Sequence, residues 1–221
     1  MKQKLLFILA SLFLLGLFIG GALYVKQQQQ ASQDALIAAN QQALNRGHAP
    51  TYGPADARVT ITEFLDPACE ACAAFYPFVK DLMRQQPEQI RLVVRYAPLH
   101  DGAAGVVAAL EAARLQGQYW PALEKLLATQ SQWAINHRAD VGLALAQLAP
   151  LGLDMARLQQ DMQSEQIMAI LRQDIADAQA LGINKTPSYF VNGRPLQDFG
   201  YEQLATMVQA ALATSPARPQ Q

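Results

Sequence analysis

The chain has 221 residues, a formal net charge of −1 and an apolar fraction of 51%. That balance offers no basic face for nucleic acid, so no nucleic-acid partner is expected. The length suits one folded domain plus a further segment.

The further segment stands at the start. Residues 5–25, LLFILASLFLLGLFIGGALYV, carry no charge. A helix needs about 20 such residues to cross a bilayer. Lys2 and Lys4 precede the run and Lys26 follows it. This bias puts the N-terminus in the cytoplasm and the remainder outside. The rival reading is a cleaved signal peptide, whose apolar core is about 7–15 residues long. Gly20-Gly21-Ala22 offers a small-residue cleavage site, but the apolar run continues past it. Residues 1–26 are therefore read as an uncleaved anchor, and on either reading the remainder is exported. Residues 27–50, rich in Gln and Ala, read as a spacer with a helical stretch around Asp34 to Leu44.

The folded domain is expected over 51–213. VTITEFL, residues 59–65, is β-branched and aromatic and predicts a strand. After the cysteines, Phe75, Phe78, Val79, Leu82 and Met83 recur at helical spacing, with Pro77 predicting a kink. IRLVVRYAPL, residues 90–99, predicts a second buried strand. Helices are predicted over 103–116, 119–129, 139–148, 155–163 and 164–181, with turns at Gly117, Pro150 and Gly152. SYFVNGRPL, residues 188–196, reads as a strand pair about an Asn-Gly turn. A last helix is predicted over 201–213, and 214–221 read as a disordered tail. This order fits a mixed sheet covered by helices, with a helical insertion over about 101–181.

Both cysteines lie in FLDPACEAC, residues 64–72. A disulfide between residues three apart closes a very short loop and stabilises little. In an exported chain the pair therefore reads as a redox centre rather than a staple. A strand ending at Asp66-Pro67 and a helix beginning near Cys69 put that sulfur at a helix N-terminus, where the thiolate is favoured. Cys72, one turn on, lies beneath it. The first sulfur attacks a substrate disulfide and the second resolves the mixed disulfide. Glu63 alternates with Val59, Ile61 and Leu65, so it shares a face with apolar residues. A carboxylate there is costly unless paired or protonated. The alternative is a strand-edge Glu paired with a Lys or Arg.

These segments resemble the DsbA-like branch of the thioredoxin superfamily. The resemblance rests on EFLDPACEACAAFYP with Pro77 five residues after Cys72, on VRYAPLH at 94–100 followed by an Ala-rich helix and QGQYW, and on NKTPSYFVNGRPL at 184–196. It covers essentially the whole exported domain. It implies an α/β thioredoxin-like fold with a helical insertion between the second strand and the hairpin. It implies a cis peptide bond before Pro187, and substrate pairing with the backbone of Thr186. It also implies a buried acid, Glu63, that moves protons to and from Cys72. The strongest oxidants of the family carry Pro-His between the cysteines, whereas this chain has Glu70-Ala71. The expected consequence is a less stabilised Cys69 thiolate and a weaker oxidant.

His48, His100 and His137 are scattered, so no metal site and no cofactor are expected. His100 is assigned a cap or surface hydrogen bond. Trp120 and Trp133 are expected to pack the insertion, and Asp174 with Asp177 to form a solvated helix face. The resulting reading is a membrane-anchored, monomeric protein disulfide oxidoreductase. Its expected partners are exported cysteine-containing proteins, the membrane through residues 5–25, and a membrane or periplasmic partner that resets the pair. Disulfide donation leads; reduction or reshuffling is the alternative. A different class is a non-catalytic thiol module holding Cu(I) or acting as a chaperone.

Overall fold

The computed structural model describes residues 2–214, with side chains from Leu14 onward except at 33, 34, 36, 38 and 39. The chain forms two compact units, Met1–Gln41 and Gln42–Gln221.

Helix α1 runs over Lys2–Leu44 without a break. It thus passes through the Gln-rich stretch, where helix was expected only from about Asp34. Gln and Ala are good helix formers, and no Gly or Pro interrupts the chain between Gly21 and Leu44. Among the described residues no helix is long and apolar enough to cross a membrane. The apolar run 5–25 begins among residues whose side chains lie outside the description. The folded domain starts ahead of the expected Thr51, because Leu44 is buried beside Phe64, Ala97, Ala178 and Phe190.

The main sheet has five strands in the order β1-β3-β2-β6-β7. They are β1 (Thr51–Tyr52), β2 (Val59–Leu65), β3 (Ile90–Tyr96), β6 (Ser188–Val191) and β7 (Arg194–Pro195). β2 and β3 are parallel, with Val59 opposite Ile90 and Leu65 opposite Tyr96. β6 lies antiparallel to β2, with Glu63 opposite Tyr189. Successive side chains of β2 point to opposite faces. Val59, Ile61 and Leu65 join the main core, and Phe64 joins the smaller cluster on the other side. The β6–β7 turn uses Asn192 and Gly193 at φ +48° and +82°. Both backbones are left-handed, as a two-residue hairpin of matching twist requires.

Helix α2 (Glu70–Gln85) carries Pro77 inside it and buries Cys72, Phe75, Tyr76, Val79, Leu82 and Met83. The insertion comprises α3 (Ala103–Leu115), α4 (Tyr119–Ala128), a short hairpin of β4 (Ala134–Ile135) and β5 (Arg138–Ala139), α5 (Val141–Leu148), α6 (Met155–Asp161) and α7 (Glu165–Ala180). Helix α8 (Tyr201–Thr214) packs on β2 and β6. Thr214 therefore belongs to a helix, and the remainder of the expected tail lies outside the described residues. The helix expected from Ala139 begins two residues later. Asp140 caps it, accepting from the Leu143 amide at 2.9 Å, while 138–139 are taken by β5. Trp133 is fully buried and donates its indole N–H to the Leu126 carbonyl at 3.0 Å.

Asp174 and Asp177 correct the expected solvated face. Both are buried, at 0% and 5% exposure. Arg95 of β3 reaches them from below and bonds Asp174 Oδ1 and Asp177 Oδ2 at 2.7 Å each. Arg46 forks onto Asp177 at 2.7 and 2.8 Å, and His48 Nε2 lies 2.6 Å from Asp174 Oδ1. Burial alone raises the Asp177 carboxyl, but hydrogen bonds from Arg46 and Arg95 overcome it and hold the group down to about 2.

Candidate active site

β2 ends at Leu65, and the chain turns through Asp66 and Pro67 into Cys69, the N-cap of α2. Asp66 fixes that turn. Its buried carboxylate accepts from the Ala68 amide at 2.8 Å, and from the Leu99 and His100 amides at 2.7 and 2.9 Å. His100 Nδ1 lies 2.7 Å from the same oxygen. These bonds tie the cysteine loop to the segment after β3, and β3 itself stops at Tyr96 rather than Leu99.

Cys69 has an extended backbone (φ −81°, ψ 120°) and no side-chain cap. Its thiol donates to the Thr186 carbonyl at 3.1 Å. The Thr186–Pro187 bond is cis. Cys69 is 7% exposed and Cys72 not at all, and both thiols are free. The Cys69 thiol is lowered to about 5. The Cys72 thiol donating to its sulfur contributes most. Burial opposes this, while the Thr186 side chain and the amides of Cys72 and Ala71 help. The amides are the unpaired donors of a helix N-terminus. Cys72 moves the other way, well above 9, because burial penalises its thiolate and Cys69 and Glu63 repel it.

Glu63 is fully buried on the core face of β2, opposite Tyr189. Burial pushes its carboxyl up to about 8, with the Tyr189 hydroxyl opposing and the charge on Cys69 adding. Neither carboxyl oxygen nor the Tyr189 hydroxyl meets a partner at good hydrogen-bond geometry. The acid is therefore neutral and proton-bearing at neutral pH. Its folded value lies above its unfolded one, so stability is undiminished below about 4.5 and falls as pH rises toward about 8. The slope approaches about 1.4 kcal/mol per pH unit. Glu63→Gln is thus expected to match the parent protein in urea unfolding near pH 4 and to exceed it near pH 8. Parallel stabilities across that range would show that the acid is not held protonated.

The structure brings Cys69, Cys72, Thr186, Pro187 and Glu63 to one end of the sheet. It adds residues that the sequence reading left outside the site. His137 sits at the tip of the β4–β5 hairpin, with Asn136 and His137 at φ +50° and +60°. Its ring stacks on His100 at 5.5 Å, and its Nδ1 lies 3.5 Å from Glu70 Oε2. Gly102 lets the hairpin dock. It has φ +79°, and a Cβ there would collide with the Ala139 carbonyl. Gln130 donates to the carbonyls of Pro67 and Cys69. On the opposite flank Phe75 stacks on Phe199 and Tyr201, at 4.5 and 4.1 Å between ring centroids. Among the described residues no group of three or more His, Cys, Asp or Glu is arranged to hold a metal ion.

A family model described as thioredoxin matches residues 45–210. A thioredoxin-like oxidoreductase from Silicibacter pomeroyi DSS-3 is 32% identical, with a TM-score of 0.68 over 78% of this chain and 98% of that one. The chain belongs to the thioredoxin superfamily. BdbD from Bacillus subtilis, at 22% identity and a TM-score of 0.62 over 75% of this chain and 94% of that one, shows the same fold. A Na(+)/H(+) antiporter NhaA from Herminiimonas arsenicoxydans is 35% identical over 66% of this chain. The match spans only 22% of that protein, and the chain spans about a quarter or less of the length of the curated relatives it matches.

Proposed function

We propose that this protein is a thiol–disulfide oxidoreductase that donates disulfides to exported proteins, with its domain outside the cytoplasm and residues 5–25 as a single membrane span. The observation that carries donation is the place of the two sulfurs: Cys69 is the N-cap of α2 with its sulfur beside Thr186, and Cys72 is wholly buried one turn on. Cys69 is drawn down to about 5 while Cys72 is pushed well above 9. A stabilised Cys69 thiolate favours the reduced pair, and a pair that prefers to be reduced gives its disulfide away. The dipeptide Glu70-Ala71 lacks the histidine of strong oxidants, but Cys72, Thr186 and the helix amides supply the stabilisation. In support of the anchor, Leu14, Leu15, Leu17, Phe18, Ile19 and Leu23 of α1 stand exposed. They continue the uncharged run that begins at residue 5.

In the proposed reaction a substrate thiolate attacks Cys69 Sγ of the oxidised pair. The new bond forms a mixed disulfide, and the Cys69–Cys72 bond breaks. Cys72 is a poor leaving group as a thiolate, so Glu63, protonated below about 8, supplies the proton as it departs. A second substrate thiolate then attacks the substrate sulfur and releases Cys69 as thiolate. The substrate loses two electrons and the pair gains them. Thr186 and cis Pro187 hold the substrate strand beside Cys69. The reduced pair then passes its electrons to a redox partner in the membrane or periplasm.

The test is the reduction potential of the full chain, equilibrated in glutathione buffers. A value toward about −120 mV is expected of a donor. A value near about −270 mV would instead make the protein a reductant or a reshuffler.

A further inference from the structure

We propose that Gln130, in the helical insertion, is a positioning residue of the exchange centre, holding the cysteine turn in the geometry in which Cys69 works. Gln130 opens the single 3-10 turn Gln130–Gln132 between α4 and β4, and it is 7% exposed. Its Nε2 donates to the Pro67 carbonyl at 2.8 Å and to the Cys69 carbonyl at 3.0 Å. A primary amide nitrogen carries two hydrogens, and here each has one acceptor.

These two carbonyls bracket Ala68 in the turn that carries Cys69 out of the sheet. Cys69 has no side-chain cap, and its carbonyl also accepts from the Ala73 amide at 3.2 Å. Asp66 anchors the turn from the sheet side, through the Ala68 amide and the segment 99–100. Gln130 anchors it from the insertion. Without Gln130 the Pro67 oxygen would lose this donor in a buried place, and a buried acceptor left unsatisfied draws the backbone toward another conformation. The amide also sets two N–H dipoles against carbonyl oxygens beside a sulfur that must bear negative charge. Removing those dipoles leaves the oxygens' negative ends unopposed there.

The inference rests on Cys69 as the exchange sulfur and is independent of the direction of transfer. It predicts a specific change in the chemistry of that sulfur. Gln130→Met keeps the length of the side chain and has no donor. In the full chain, its Cys69 titration, followed by ultraviolet thiolate absorbance, is expected about one unit above the parent protein. The oxidising equilibrium constant in glutathione buffers is expected to fall roughly tenfold, about 30 mV toward reduction. Gln130→Glu is expected to shift further at neutral pH, where a carboxylate faces two carbonyls. It should move back toward the parent in acid, where the protonated acid donates again.

A merely structural glutamine predicts a different result: a lower Tm with the titration and the potential of the folded protein unmoved. That result in Gln130→Met overturns the proposal. Should Gln130→Met not fold, Gln130→Glu decides, and an unmoved Cys69 titration there overturns it equally. The parent protein's own potential tests the direction of transfer, so failure of that reading and failure of this one are read from separate measurements.

Discussion

Cys72→Ser is expected to stop turnover, by on the order of 10³-fold or more, while accumulating mixed disulfides through Cys69. The reasoning follows from burial. Cys69 reaches the surface and Cys72 does not, so a substrate sulfur meets Cys69 first. With serine at 72 the pair holds no disulfide to give, but the Cys69 thiolate still attacks the disulfide of an oxidised substrate, whose other sulfur leaves as a thiolate, and no second thiol of the pair resolves the adduct. Cys69→Ser is expected to lose activity without an adduct. The same pair of positions tests what lowers the Cys69 thiol. The Cys72 side chain is the largest contributor. Serine still offers a hydroxyl donor, whereas Cys72→Ala offers none. The Cys69 titration is therefore expected to rise by ~1 unit or more in Cys72→Ala, and by less in Cys72→Ser. Non-reducing electrophoresis reads the adducts and thiolate absorbance reads the titration. A Cys72→Ala protein that still titrates near 5 would assign the shift to the helix amides and Thr186 instead.

The parts of this site that local pattern encodes are readable in the sequence. VTITEFL becomes β2 with the expected bounds, because β-branched alternation is a local property. The placement of Glu63 on an apolar face follows from the period of two and needs no partner. What the pattern does not carry is pairing at a distance. Asp174 and Asp177, three apart on a helix, look like a solvated face until Arg95 arrives from 79 residues away in sequence. Arg46 and His48 lie in a stretch that reads as spacer, and only their acidic partners on α7 make them part of the domain. Gln130 and His137 belong to an insertion whose fold places them beside the cysteines, and nothing adjacent to them in sequence marks chemistry. The Asn136-His137 turn did carry a signal, since Asn tolerates positive φ. Its two-residue strands are too short to show alternation.

That distant pairing also sets the largest stability effect expected here. Arg95 is fully buried, and its guanidinium bonds Asp174 at 2.7 and 3.1 Å, Asp177 at 2.7 Å, and the Ala43 carbonyl. Asp174 also accepts from the Tyr96 amide at 2.8 Å through its other oxygen. Asp174→Ala removes a charge partner and a backbone acceptor together. Breaking a buried pair from one side costs about 3–5 kcal/mol; Arg95 keeps Asp177, so the lower end is expected, with the stranded Tyr96 amide contributing to it. Asp177→Ala is expected to cost less, since Arg46 is partly exposed and Arg95 keeps Asp174. Its contribution carries a pH signature. The Asp177 carboxyl is held at about 2, below its unfolded 3.8, so its share is complete above about 4 and is lost as pH falls through about 2. That share is on the order of 2 kcal/mol. Replacing both sides, Arg95→Met with Asp174→Leu, removes the stranded charge and is expected to recover much of the loss, as buried ion pairs exchanged for apolar groups do. Urea unfolding of the single and double variants measures each term. If Asp174→Ala costs less than about 1 kcal/mol, the cluster is solvated in solution. The segment from Leu44 to His48 would then not be held to α7 by charge.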